Sequence, residues 1–363
     1  MVVELVPLPL PPSAEASRFT DFGREVRGVD PGHLDPEQFA EVQAALYKYD
    51  VLLFRDVSLT PEQQYALTKA FDPQSENYGH GNNKTAGNKS ILHPDLKTIP
   101  RVPQVQLIGN GTVYNHEGIA KATLKHPSHT TFHKTHVSSE DEARGVTRFY
   151  RWHIDAALYD LSPPKATTLY GLVVPSGPKQ VCRYDDGTGD ELPVPLGTTA
   201  FVSGKTMFDI LPAELKSVAV RSKVKYAPHP YVWMAPAHAM STGLGIESEG
   251  LELPLDELPP CEEAKCKTLP VVWKNPVTGH LHLQVHPCGV AELVIDPLPD
   301  GVKRENALYP DGAHLTDLKE LRDLLYKMQR PAIAPKASRS TRVHYTRSRL
   351  MISGFQLVYP HDW

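Results

Sequence analysis

The residue types best suited to chemistry stand together in Phe149-Tyr-Arg-Trp-His153-Ile-Asp155. In an extended strand, residues two apart face the same side, so an imidazole and a carboxylate would be presented together. That pair is two-thirds of the 2-His-1-carboxylate facial triad, the donor set that leaves positions on Fe(II) open for a co-substrate and oxygen. Trp152 and Ile154 would then turn toward an apolar interior. A bare His-X-Asp is a weak signal in a chain with 17 histidines, and a solvated or satisfied core pair is the plain alternative.

Three other clusters compete with it. Trp273, Asn275 and His280 have a spacing compatible with iron ligation, but that pattern calls for an arginine about a dozen residues later to clamp a carboxylate. Residues 290–295 contain none. His280, His282 and His286 alternate with Leu281, Leu283 and Val285, which predicts the polar face of a strand. Cys261, Cys266, His280 and His286 approach the spacing of a Cys2His2 zinc module, yet Pro276 and Gly279 work against the helix such a module needs. Gly197 to Thr206 resembles a phosphate-binding loop with six residues, not four, between its glycines, and the reading fails. No Gly-x-Ser-x-Gly elbow occurs.

The elements that must position these groups are legible in outline. Asp35-Pro36-Glu37-Gln38 and Thr60-Pro61-Glu62-Gln63 are helix starts, leading into helices over Phe39 to Tyr47 and Tyr65 to Phe71. Val51 to Phe54 between them reads as a buried strand, and Asp72 to Leu96 as a long polar loop. Short strand-like runs follow at 105–109, 147–155, 167–174, 199–202 and 281–285, with one helix starting near Leu211-Pro212. The 34 prolines among 363 residues suit short strands joined by turns. The expected class is mainly β with flanking helices, without a βαβ array and without a linker.

Composition excludes some functions. A net charge of −4 is not that of a dedicated nucleic-acid binder. No run approaches the roughly 20 apolar residues of a membrane span, and no secretory leader is evident, so a cytoplasmic location is expected. Four cysteines do not make a disulfide framework. Oligomeric state is not written in the sequence.

Longer words then become recognisable. Arg151-Trp-His-Ile-Asp-Ala-Ala-Leu-Tyr-Asp160, Pro163-Pro164, Tyr184-Asp-Asp-Gly-Thr-Gly-Asp190 and Gly197 to Thr206 resemble the fungal 2-oxoglutarate-dependent xanthine dioxygenases of the taurine dioxygenase-like superfamily. The resemblance implies a double-stranded β-helix (jelly roll) holding Fe(II) through His153 and Asp155. It also implies 2-oxoglutarate as co-substrate, O2 as oxidant, and xanthine hydroxylated to uric acid. Lys125, Glu140 and Asp141 match substrate-contacting positions, with Gln106 a weaker match. No residue is thereby assigned to 2-oxoglutarate, because Gly177 to Val181 lacks the threonine often found there.

The C-terminal text departs from the family. Residues 337–356 hold four arginines, four serines and no acid, then Leu357-Val-Tyr-Pro-His-Asp-Trp363 resumes the family wording. The expectation is a domain over 1–336, a non-family insert over 337–356 such as a translated intron, and a truncated resumption over 357–363. The distal iron histidine and the oxoglutarate arginine would be missing and the β-helix incomplete. His344 with Arg347 or Arg349 is spaced too closely to replace them. Two alternatives stand beside the enzyme: a catalytically dead purine-binding or regulatory isoform, and the zinc module.

Overall fold

A computed structural model describes residues 2–10, 14–18, 21–75, 97–125, 129–156, 158–173, 175–247, 251–335 and 349–354. Two helices begin where the sequence puts them. Pro36–Tyr49 starts at Asp35, whose carboxylate accepts from Gln38 N at 2.8 Å while Asp35 N donates to Gln38 Oε1 at 3.2 Å. Thr60 and Gln63 close the same reciprocal box at the head of Pro61–Phe71. Each box satisfies two donors that a helix start leaves orphaned, and proline at the first position loses no hydrogen bond. Val42 and Leu46 from one helix, Leu67 and Phe71 from the other, close over Leu52 and Phe54 of the strand Val51–Arg55.

That strand belongs to a five-stranded sheet ordered Glu4–Pro7, Arg24–Arg27, Val51–Arg55, Arg349–Gly354, Ala166–Gly171. Pairing is antiparallel except between Arg24–Arg27 and Val51–Arg55. Arg349–Gly354 runs between two partners, with Met351 opposite Leu53 on one side and Leu169 on the other. Part of the Arg/Ser-rich segment is therefore sheet. Residues 336–348 and 355–363, with His344 and Arg347, lie outside the described residues, as do 76–96 of the expected polar loop.

The larger core lies beneath a four-stranded antiparallel sheet ordered Thr268–Pro270, Ser222–Tyr226, Val290–Ile295, Ala313–Leu315. The helices Ala213–Arg221 and Leu318–Ile333 cover it, burying Val218, Ala219, Leu321, Leu325 and Met328 against Val224 and Leu293. Asp317 caps the second helix through Glu320 N at 2.8 Å. The expected strand over 147–155 proves shorter: only Val146–Thr147 joins a ladder, beside Gln180–Arg183 and Glu191–Val194. Residues 199–202 form no strand either, and Ser203 instead caps the helix Gly204–Asp209. The result is a β-rich body with flanking helices, the class the sequence implies. Among the described residues no helix is long and apolar enough to cross a membrane.

Candidate active site

His153 and Asp155 sit on an extended stretch with no ladder of its own, so other bonds must hold it. Trp152 N donates to Gly243 O at 2.9 Å and Trp152 Nε1 to Thr242 O at 3.1 Å. His133 Nε2 lies 3.0 Å from Phe149 O. The approach of the 242–245 turn demands glycine: Gly243 has φ +74, and a Cβ there would lie 2.7 Å from Phe149 O. Alternation survives without a sheet. Ile154 and Ala156 are buried while the side chains of His153 and Asp155 stay 44% and 41% exposed.

The two side chains approach each other closely. His153 Nδ1 is 2.8 Å from Arg151 O, which turns Nε2 to within 3.2 Å of Asp155 Oδ1. A backbone carbonyl on one ring nitrogen orients the ring, and the Asp155 carboxylate engages the other. Burial disfavours charge on this imidazole, but the bonded Asp155 carboxylate outweighs it and the pKa is raised. Two donors about 3 Å apart span one edge of a first-row metal's coordination shell.

Two further groups face this pair. His286 is fully buried, its ring 6.3 Å from that of His153 and edge-on to Tyr231 at 5.5 Å. Neither ring nitrogen has a hydrogen-bond partner. Burial, then the charges of Arg151 and His153, push its pKa well below the ordinary histidine value, so it is a neutral imidazole. Arg151 is half-buried, its guanidinium 4.5 Å from the Phe132 ring centre and its Nη1 3.7 Å from Met234 Sδ.

The three histidines expected on one strand face diverge. His280 is exposed in a turn organised by buried Asn275, whose Oδ1 accepts from Val277 N and Thr278 N at 2.9 Å and whose Nδ2 donates to Tyr47 O. His282 is nearly buried, with Nδ1 4.0 Å from Asp50 Oδ2. The strand ends at Leu283, and a turn at Pro287–Gly289 carries His286 into the core. The zinc module is corrected on the same ground. Cys261 is exposed, His280 is exposed and His286 is enclosed, and among the described residues no three His, Cys, Asp or Glu side chains form a metal-holding group. His153 and Asp155 likewise find no third ligand there.

The four substrate candidates fall in three places. Gln106 lies on Val102–Leu107 opposite Thr98, with its Nε2 buried and unpartnered. Lys125 is exposed just past the strand Ile119–Leu124. Glu140 and Asp141 lie on the short helix Ser139–Ala143, Glu140 exposed. Asp141 is engaged by Arg144 and by Arg183 Nη1 at 2.9 Å, and these lower its pKa. The Tyr184 to Asp190 word proves to be a clasp, a role the sequence reading missed. Arg330 of the last long helix bonds Asp186 Oδ2 at 2.6 Å, Asp190 Oδ2 at 2.8 Å and Thr188 Oγ1 at 2.9 Å, with its charge over the Tyr184 ring. A cavity of about 380 Å³ beyond the 242–245 turn, lined by Leu244, Pro287, Arg322 and Tyr326 among others, does not include the His153–Asp155 pair.

The sequence pattern described as "Taurine catabolism dioxygenase TauD, TfdA family" matches residues 8–334. The chain belongs to this TauD/TfdA dioxygenase family. It is 47% identical over 356 residues to the alpha-ketoglutarate-dependent xanthine dioxygenase xanA of Emericella nidulans, covering 98% of this chain and 86% of that one. It is 49% identical over 350 residues to xan-1 of Neurospora crassa, with 94% and 75% covered. For xan1 of Schizosaccharomyces pombe the figures are 47% over 359 residues, 98% and 79%. Among solved structures, a taurine dioxygenase from Burkholderia xenovorans aligns over 97% of this chain and 80% of its own, at 16% identity and a TM-score of 0.44. AAD-2 in complex with Mn(II) and N-oxalylglycine aligns over 98% and 88%, at 16% identity and 0.47. As a TauD/TfdA member the protein is an oxidoreductase of the dioxygenase class, and the His-X-Asp stretch falls inside the matched region.

Proposed function

We propose that this TauD/TfdA protein is an Fe(II)- and 2-oxoglutarate-dependent dioxygenase that hydroxylates xanthine to uric acid. One observation carries the reading: 47–49% identity, nearly end to end, to three xanthine dioxygenases. His153 and Asp155 are the proposed ligands, and their donor chemistry fits: an imidazole nitrogen and a carboxylate oxygen converge at 3.2 Å. Fe(II), bound with 2-oxoglutarate and O2, supplies the oxidising chemistry at purine C8. The chain's own groups hold and orient. Arg151 O fixes the His153 ring, and buried Ile154 and Ala156 anchor the stretch that carries the ligands. Xanthine presents carbonyl acceptors and ring N–H donors around a flat ring. The unpartnered Gln106 Nε2 and the Lys125 ammonium suit the carbonyls, and Glu140 suits an N–H. Asp141, already held by Arg144 and Arg183, anchors the helix that carries Glu140.

On this reading the body is a double-stranded β-helix over residues 1–336, and the Arg/Ser-rich insert lends it the strand Arg349–Gly354. A second reading, a purine-binding chain without turnover, is favoured by the want of a third ligand among the described residues. Incubation with Fe(II), ascorbate, 2-oxoglutarate and xanthine under air separates the two. Xanthine-dependent succinate and urate support the enzyme; xanthine binding without succinate supports the second reading; neither one refutes both.

A further inference from the structure

We infer that Arg151 is a co-substrate-binding residue, placed to pair with a carboxylate of 2-oxoglutarate beside the His153–Asp155 pair; the inference rests on the function proposed above. Arg151 and His153 stand two residues apart ahead of a bend at Asp155, where Ala156 N donates to Ile154 O at 2.9 Å and Ile154 and Ala156 are buried. The arginine is tied to the first ligand directly, its carbonyl oxygen 2.8 Å from His153 Nδ1. Its surroundings hold a charge without neutralising it. Phe132 and Tyr150 lie under the guanidinium at 4.5 and 5.7 Å, and Met234 Sδ is a weak acceptor at 3.7 Å. Nε is buried and unpartnered, and among the described residues no carboxylate pairs with this side chain.

That sets it apart from the comparable arginines. Arg148 pairs with Asp185, Arg183 with Asp141 and Asp185, Arg322 with Glu252, and Arg330 with Asp186 and Asp190. A guanidinium taken partly out of water needs an anion or a set of carbonyl acceptors, such as the four that meet Arg221, and among the described residues Arg151 has only the thioether. A second orphan stands close by. His286 is fully buried with both ring nitrogens unpartnered, its ring centre 6.3 Å from that of His153. Two unsatisfied nitrogen groups beside a metal-type donor pair mark a place completed by a ligand rich in oxygen.

Of the two organic reactants, 2-oxoglutarate fits that demand. It is a dianion, and a carboxylate matches the two parallel N–H groups of an arginine fork. Xanthine offers carbonyl oxygens without a full charge, which would leave the guanidinium uncompensated.

The test uses the full chain loaded with Zn(II), so that nothing turns over, and calorimetric titration with 2-oxoglutarate and separately with xanthine. Arg151→Met is expected to weaken 2-oxoglutarate binding about 30-fold, the scale of a lost charge-assisted pair, and to change xanthine binding less than about twofold. Arg151→Lys, which keeps the charge and loses the fork, should fall between. An R151M protein that binds 2-oxoglutarate as the wild type does overturns the inference, as does one that loses xanthine and keeps 2-oxoglutarate. If R151M fails to fold, R151K decides: a roughly fivefold loss for 2-oxoglutarate alone supports the assignment, and none overturns it. A wild-type protein that binds no 2-oxoglutarate refutes the proposed function itself, whereas unchanged variants beside a binding wild type refute Arg151 alone.

Discussion

Asp50 offers a direct test of how the interior handles charge. It closes the first long helix, accepts from Ser203 Oγ at 2.9 Å, and faces His282 Nδ1 at 4.0 Å. Burial pushes its pKa up to about 7, against the smaller opposing pull of the Ser203 bond and the Lys205 charge. Burial also pushes His282 down to about 4, helped by His280 and Lys205. The folded protein thus holds the Asp50 proton across a range where the unfolded chain, with an ordinary carboxyl near 3.8, has released it. Stability from this group is full below pH ~4 and is lost as pH rises toward 7. At about 1.4 kcal/mol per unit, roughly three units give about 4 kcal/mol as an upper bound for a side chain 16% exposed. His282 acts with the opposite sign: the unfolded chain takes its proton first, so its contribution is lost as pH falls from about 6.5 toward 4. The wild-type profile alone therefore mixes two opposed slopes.

Asp50→Asn separates them. Asparagine keeps the shape and a bond to Ser203, tolerates the positive φ of 62, and does not titrate. The two proteins should have similar urea-unfolding free energies near pH 4.5. The variant should gain about 1 kcal/mol per unit above that, reaching a few kcal/mol by pH 8. Unfolding curves at pH 4.5, 6, 7 and 8 read the difference. A difference independent of pH, or a variant less stable at pH 8, would sink the argument that this carboxyl is held protonated by burial.

Three other expectations follow from the same geometry. His153→Ala and Asp155→Asn should each weaken Fe(II) or Mn(II) binding at least about 100-fold in equilibrium dialysis, with little change in melting temperature, since both side chains are over 40% exposed. Arg330→Met strands Asp186, whose carboxyl burial would raise but Arg330 holds far below the usual range, and should cost about 3–5 kcal/mol by denaturant titration. Asp186→Asn should cost less and restore part of the loss when combined with R330M. Gly243→Ala sets a Cβ against Phe149 O at a positive φ, so it should destabilise by about 1–3 kcal/mol and loosen metal binding with it, read by melting and dialysis on the same protein.

How much of this the sequence shows depends on how local the cause is. The two capping boxes are written within four residues each, and both helices start where the pattern says. Around His153 and Asp155 the alternation shows in burial, with Ile154 and Ala156 buried and the two polar side chains exposed, even without a ladder. What cannot be read locally is the source of support: the 242–245 turn and His133 do the work of neighbouring strands. His286 misleads because three residues of alternation were extended past the point where Pro287 turns the chain inward. The helix Leu318–Ile333 had a usable signal in Leu321, Leu324, Leu325, Met328 and Ala332, which recur at helical spacing, with Pro331 near its end obscuring it. Nothing local marks Arg330, because its partners lie far upstream at Asp186 and Asp190.

The strand Arg349–Gly354 has a consequence for how the protein reaches its native state. It is the fourth of five strands in the sheet order, and its backbone satisfies Val51–Arg55 on one side and Ala166–Gly171 on the other. A ribosome delivers both of those partners long before it delivers this strand. During that interval each presents a row of unpaired amides and carbonyls toward a gap, the arrangement most open to pairing with another chain. Closing the gap then joins Arg349 to Arg55 across most of the chain, a contact with a large loop-entropy cost. Chaperone dependence and yield in a recombinant host are therefore governed less by the helices, which form early and locally, than by how fast this one late segment finds its slot.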